Sequence, residues 1–158
     1  MHHLALMGRR AGLVGGKKAL AEVASHCVAT RARLLSRVLT GIYDDAYRPF
    51  GVNAPQLILL TVVSRIGPAS RAEIGRFNHQ DRSTLSRNLA PMLSAGWIQE
   101  IERAGKGRAR PLAITERGRQ LLLSTVPAWR CAQAEAVAIL GEAAAAAITE
   151  IGDSLIKA

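Results

Sequence analysis

The stretch DRSTLSRNLAPML, Asp81 to Leu93, carries two patterns on one helix. Leu85, Leu89, Met92 and Leu93 recur at the three- and four-residue spacing that lines one side of an α-helix. Arg82, Ser83, Ser86 and Arg87 fall on the opposite side, with Thr84 and Asn88 at its edge. A helix face turned only to water usually mixes Glu with Lys, yet after Asp81 this stretch has no acid at all. Asp81 itself is placed to cap the helix by accepting from the backbone N–H groups two and three residues ahead. Pro91 removes one backbone hydrogen bond, so a kink is expected beyond the polar half of the face.

Immediately upstream, SRAEIGRF opens with Ser70 and has Glu73 three residues on, a capping box, with Ile74 and Phe77 turned to a core. The short NHQ turn joins the two helices, and together they read as a helix-turn-helix. Downstream of Gly96 the period changes. WIQEIER nearly alternates apolar and polar residues, AGKGR makes a turn, and PLAIT returns as a second strand, with Pro111 tolerable only at an edge or bulge. Two strands with a glycine-rich tip bearing Lys106 and Arg108, and Arg110 just beyond, form a wing. The outer face of the Asp81 helix then suits the DNA major groove, where Arg pairs bidentately with guanine and small hydroxyls reach bases or phosphates. The wing cations suit the backbone or an adjacent narrow minor groove. Ser70 and Arg71, in the first turn of the preceding helix, join Arg82, Ser83, Thr84, Ser86, Arg87, Lys106, Arg108 and Arg110 as the expected DNA-facing set.

The rest of the chain reads as helix. One helix is expected from about Ala19 to Tyr47, ended by RPFG, since the residue before Pro49 is pushed out of helical geometry. Asn53 caps the next, with Pro55 in its first turn, and LILLTVV is apolar nearly all round, as in a buried helix. Thr115 caps a further helix that Pro127 kinks or ends, and EAAAAAITEIGDSLIKA closes the chain with Ile148, Ile151 and Leu155 on one stripe. The terminal helices have little to cover within a small winged domain, so their stripes are best buried against a second copy. The expected organisation is a flexible basic arm over 1–18 and a single domain over 19–158. Its winged helix-turn-helix core spans about 53–115, and dimerisation helices span about 19–48 and 116–158. The fold class is mostly α with a small β wing.

Charge supports this reading. The chain has 158 residues and a formal net charge of +9. Residues 1–37 and 65–119 each carry an excess of +6, whereas 120–158 are net −2. A basic excess confined to the first third and the middle suits a polyanion. Two distant cysteines, Cys27 and Cys131, give neither a disulfide framework nor a zinc ligand set, and His2, His3, His26 and His79 lack metal spacing. No apolar run approaches a membrane span, and the first residues make a poor signal peptide, so a cytoplasmic, nucleoid-associated protein is expected. Neither a Ser-His-Asp set nor a phosphate loop appears, and an enzyme, a metal or a cofactor is not expected.

From about Arg31 onward the chain resembles the multiple-antibiotic-resistance repressor (MarR) family of bacterial winged-helix regulators. The resemblance is carried by RAEIGRFNHQDRSTLSRNLAPMLSAGWI, by the wing, and by LAITERG, which looks like the family's Leu-Thr-x-x-Gly sequence. It implies a homodimer on a pseudopalindromic site in double-stranded DNA, repression or occasionally activation of nearby genes, and release by a small effector. Carried over by position, the contacts implied are Ser83, Thr84, Arg87 and Arg108. The wing departs from the family's Asp-Arg-Arg, having Lys106-Gly107-Arg108, so the acid that would hold the wing against its own arginines is missing.

Tyr43, Tyr47 and Trp129 are candidates for an effector pocket where the resemblance would put one, or simply core aromatics. Cys27 invites comparison with the family's thiol-based peroxide sensors. Their cysteine position falls on Ala29 here, about 200° around a helix from Cys27, and a structural thiol is the alternative. Cys131 reads as packing. Two other functions stay open: a Cys27-switched regulator, and a winged helix used for protein contacts without DNA sequence preference.

Overall fold

The computed structural model describes the backbone of residues 3–102 and 110–157 and the side chains of 15–102 and 110–156. The chain forms two compact units, Met1–Leu39 and Thr40–Ala158.

The first unit is helical. Helix α1, His3–His26, gives way at Cys27 to α2, Val28–Tyr47, which continues into the second unit. This corrects two expectations: the N-terminal segment is helical from His3 rather than a flexible arm over 1–18, and the helix expected from Ala19 is interrupted at Cys27. Four glycines lie within α1, each costing about 1 kcal/mol against alanine. They are outnumbered by Ala, Leu, Met, Lys and Arg, and the segment has no proline to break it. At the interruption the Arg31 guanidinium donates to the carbonyls of Ala24 (3.1 Å) and Ser25 (3.4 Å), satisfying acceptors that the end of α1 leaves open.

In the second unit a short 3-10 turn, Arg48–Phe50, leads from α2 to α3, Ala54–Ile66. The expected capping box is present, with the Gln56 N–H on Asn53 Oδ1 at 2.9 Å and the Asn53 N–H on Gln56 Oε1 at 3.2 Å. The Asp44 carboxylate from α2 also accepts from the Ala54 N–H at 2.7 Å. Helix α3 is the centre of the core, with Leu57, Leu59, Leu60, Val62 and Val63 buried. Around it lie α4, Arg71–Phe77, and α5, Arg82–Ser94, which contribute Ile74, Leu85, Leu89 and Met92.

The wing strands are β1, Ile98–Glu100, and β2, Leu112–Ile114, antiparallel with Gln99 opposite Ala113. Ile98, Leu112 and Ile114 turn inward. Ala69 forms an isolated bridge on the other side of β2, exchanging backbone bonds with Leu112 at 2.8 and 3.0 Å, which fastens the wing two residues ahead of α4.

Of the two outcomes expected at Pro127, a kink or an end, the structure removes the end: helix α6, Glu116–Leu140, continues through it. Proline costs the bond to the carbonyl four residues back, and Leu123 there stands on the exposed side, where water can serve it. Thr115 caps α6 as expected: its Oγ1 accepts from the Gly118 N–H at 3.1 Å and donates to the Gly96 carbonyl at 2.6 Å. Thr115→Val should lose both bonds and cost about 1–2 kcal/mol, checked by urea unfolding. A variant as stable as the parent would mean that water replaces the cap.

Helix α7, Glu142–Lys157, turns back from α6 and carries Ile148, Ile151 and Leu155 exposed, the last two at 59% and 53%. Among the described residues no single helix is long and apolar enough to cross a membrane.

Candidate nucleic-acid interface

The candidate interface comprises α4, α5 and the base of the wing. Both capping predictions are met. At α4, Ser70 accepts from the Glu73 N–H at 3.3 Å, and the Glu73 carboxylate accepts from the Ser70 N–H and hydroxyl, each at 2.7 Å. At α5, Asp81 Oδ1 accepts from the N–H groups of Ser83 and Thr84, both at 2.9 Å, and Oδ2 from the Thr84 hydroxyl at 2.7 Å. These bonds, led by that from the Thr84 N–H, hold the Asp81 carboxyl below its ordinary range, with Arg87 nearby adding a smaller pull.

The two-faced reading of α5 holds residue by residue. Leu85, Leu89 and Met92 are buried and Leu93 is half-buried. Arg82, Ser83, Ser86 and Arg87 are exposed, and Thr84 and Asn88 lie between. The helix continues through Pro91 to Ser94. Arg87 Nη2 lies 3.3 Å from Thr84 Oγ1, so Asp81, Thr84 and Arg87 form one chain of hydrogen bonds along the edge of the helix. His79, in the turn between α4 and α5, has a positive φ of 47°.

Beside α5, Arg71 and Arg110 meet a residue that the sequence reading did not single out. The Arg71 guanidinium donates to Glu100 Oε1 at 2.6 Å, and Arg110 Nη1 lies 3.6 Å from Glu100 Oε2. The Arg71 hydrogen bond, with the charges of both arginines, holds the Glu100 carboxyl below its ordinary range. The sequence signal was slight: an acid at the end of β1, with Glu102 two residues on and basic residues only from Arg103 onward. Lys106 and Arg108 lie outside the described residues.

An open cleft of about 1610 Å³ runs between α4, the first turns of α5, the wing base and the end of α7. Arg71, Arg76, Arg82 and Ser86 line it, with Leu155 and Ile156 at one margin. The His79 ring Nε2 lies 3.0 Å from the Leu155 carbonyl oxygen.

Of the three aromatic candidates, the structure pairs two. Tyr43 and Tyr47 have ring centroids 6.0 Å apart, and the Tyr43 hydroxyl donates to Gln133 Oε1 on α6. Tyr47 is buried, and burial together with the Tyr43 neighbour pushes its phenol up to about 12. Trp129 is 45% exposed and, among the described residues, does not join this pair.

Cys27 is partly exposed at the junction of α1 and α2. A hydrogen bond from the Thr30 side chain leads the effects that lower its thiol, with Arg31 contributing less. Cys131, read as packing, is exposed.

Comparison with known proteins agrees with this geometry. A sequence model described as MarR family matches residues 50–109, which run from the turn after α2 into the wing. The fold is similar to that of the Mycobacterium tuberculosis transcriptional regulator MosR in complex with DNA. Identity is 30%, the match covers 82% of this chain and 96% of that one, and the TM-score is 0.68. It is also similar to an Escherichia coli MarR mutant complexed with operator DNA (14% identity, 85% and 96% covered, TM-score 0.72). A third match is an M. tuberculosis MarR family protein complexed with salicylic acid (22% identity, 82% and 96% covered, TM-score 0.63). At these lower identities the likeness is one of fold. No curated protein sequence matches the chain. The winged helix-turn-helix, its capped and acid-free outer helix, and a 30% identical relative matched over nearly its whole length together establish that the chain belongs to the MarR family of DNA-binding transcriptional regulators.

Proposed function

We propose that the protein is a homodimeric repressor that reads a pseudopalindromic operator in double-stranded DNA and releases it when a small effector binds. The observation that carries this reading is α5, whose apolar side is sunk in the core while Arg82, Ser83, Ser86 and Arg87 stand exposed with no acid after the cap. In this reading Arg87 pairs with a base, Arg82 with phosphate, and Ser83, Thr84 and Ser86 with bases or backbone. Ser70, Arg71, Lys106, Arg108 and Arg110 fix the register through phosphates. The exposed stripe of Ile148, Ile151 and Leu155 on α7 supports a second copy as its cover, since each such side chain gains about 1.5–3 kcal/mol on full burial. Two recognition helices would then meet half-sites about one helical turn apart. Tyr43 and Tyr47, with Trp129 of α6, are the candidate walls of the effector site. An effector acts there only through unequal affinity for the DNA-ready and DNA-averse arrangements.

The test is fluorescence anisotropy on DNA from upstream of the protein's own gene against a scrambled duplex, across a salt series. The expected result is tighter binding to the native fragment and a steep fall of affinity with salt. Equal binding to both duplexes, and to every pool from a random-sequence selection, would leave a winged helix used for protein contacts instead.

The exposure and lowered thiol of Cys27 favour one second reading, in which oxidation rather than a ligand releases DNA. Peroxide would then weaken operator binding by the parent protein and not by Cys27→Ser. Equal responses from the two would remove it.

A further inference from the structure

We infer that Glu100 is a positioning residue for DNA recognition, a carboxylate that ties the wing to α4 and holds Arg71 and Arg110 side by side at the edge of the reading face. The inference rests on the DNA-binding reading above and adds to it a residue of the opposite charge. Glu100 stands at the last rung of β1, opposite Leu112, and its two oxygens face two different elements. Oε1 takes the Arg71 guanidinium from the first turn of α4, and Oε2 faces Arg110, which enters β2. One carboxylate thus spans the helix-turn-helix and the wing, the two parts that must dock on one duplex in fixed register.

Two features give the arrangement its direction. The pair with Arg71 is a short charge-assisted hydrogen bond, the geometry in which a guanidinium loses its freedom to wander. The wing is short, three residues to a strand, and is bridged to Ala69 through Leu112, the residue opposite Glu100, so a side-chain tether from β1 adds a second hold on its angle. The charge of Glu100 opposes DNA, so its gain lies in orientation. Non-specific attraction is given up to hold two cations where the operator presents phosphates.

The test compares the parent with Glu100→Gln and Glu100→Asp on the operator and a scrambled duplex across a salt series. Amide hydrogen exchange of the free proteins is read at Ile101, whose N–H is bonded to the Pro111 carbonyl at 2.9 Å. With Glu100→Gln, affinity for the scrambled duplex should hold or rise while operator affinity falls, so that their ratio drops about fivefold. The salt dependence should steepen by about one to two phosphates per protomer as Arg71 and Arg110 are freed. Exchange at Ile101 should quicken about threefold or more, and Glu100→Asp should recover most of each effect. A Glu100→Gln ratio within twofold of the parent overturns the inference and leaves operator recognition standing. A parent without operator preference overturns the functional reading and the DNA role of Glu100 with it. Unchanged exchange at Ile101 overturns the tether whatever the DNA result.

Discussion

Gly118→Ala should destabilise the protein by about 3 kcal/mol or more, although alanine is the better helix former. Gly118 lies in the first turn of α6, in the Thr-x-x-Gly sequence that begins at Thr115. A Cβ there would stand 2.2 Å from the Trp97 carbonyl oxygen and 2.9 Å from Ile114 Cγ1. The Trp97 carbonyl is backbone, and it already accepts from the Thr115 N–H at 3.0 Å, so it cannot retreat without loosening that bond and the start of β1. The methyl group therefore pushes on the wing root and on the cap of α6 together. Gly41, in α2, is the control: an added Cβ meets nothing within 4 Å, and Gly41→Ala should be neutral or stabilising by up to about 1 kcal/mol. Urea unfolding followed by circular dichroism reads both. A Gly118→Ala variant as stable as the parent would show that the helix can shift freely on the wing, contrary to this close approach.

The glycine also marks a boundary in what the sequence discloses. Its place in LAITERG was visible, but its reason, a backbone carbonyl from the far side of the wing, was not. Local devices were legible throughout: the Asn53, Ser70, Asp81 and Thr115 caps are each set by residues within a turn of one another. The exposed face of α5 was legible too, because a 3.6-residue period shows itself in one short segment. Contacts between distant segments were not. Arg71 and Glu100 are 29 positions apart, and nothing in either neighbourhood names the other. The same holds for the Ala69–Leu112 rung and for the Leu155 carbonyl beside His79. Glycine misled in α1, and Pro127 does not end α6. Pro127 and the α1 glycines carry local penalties that a continuous helix absorbs where flanking propensity is strong and an orphaned carbonyl can reach water.

Arg87→Ala should weaken operator binding by about 1–3 kcal/mol at each half-site, and so by about 2–6 kcal/mol for a dimer engaging both. The size follows from geometry that is ready before DNA arrives. Arg87 is exposed on the outer face of α5, and Thr84 Oγ1, itself held by Asp81, lies beneath its guanidinium at 3.3 Å. A side chain steadied in this way loses less conformational freedom on docking. Truncation alone does not distinguish a base contact from a phosphate contact, since both remove a charge. Arg87→Lys does, because lysine keeps the charge and loses the planar fork that matches guanine. A base contact predicts that Arg87→Lys binds a scrambled duplex as the parent does, loses most of the operator preference, and accepts other bases at one position per half-site in a randomised pool. The Arg82→Lys variant, at a residue assigned to phosphate, should leave that preference intact. If Arg87→Lys selects the same sequences as the parent with the same stringency, Arg87 is a backbone contact and the reading of bases falls to Ser83, Thr84 and Ser86.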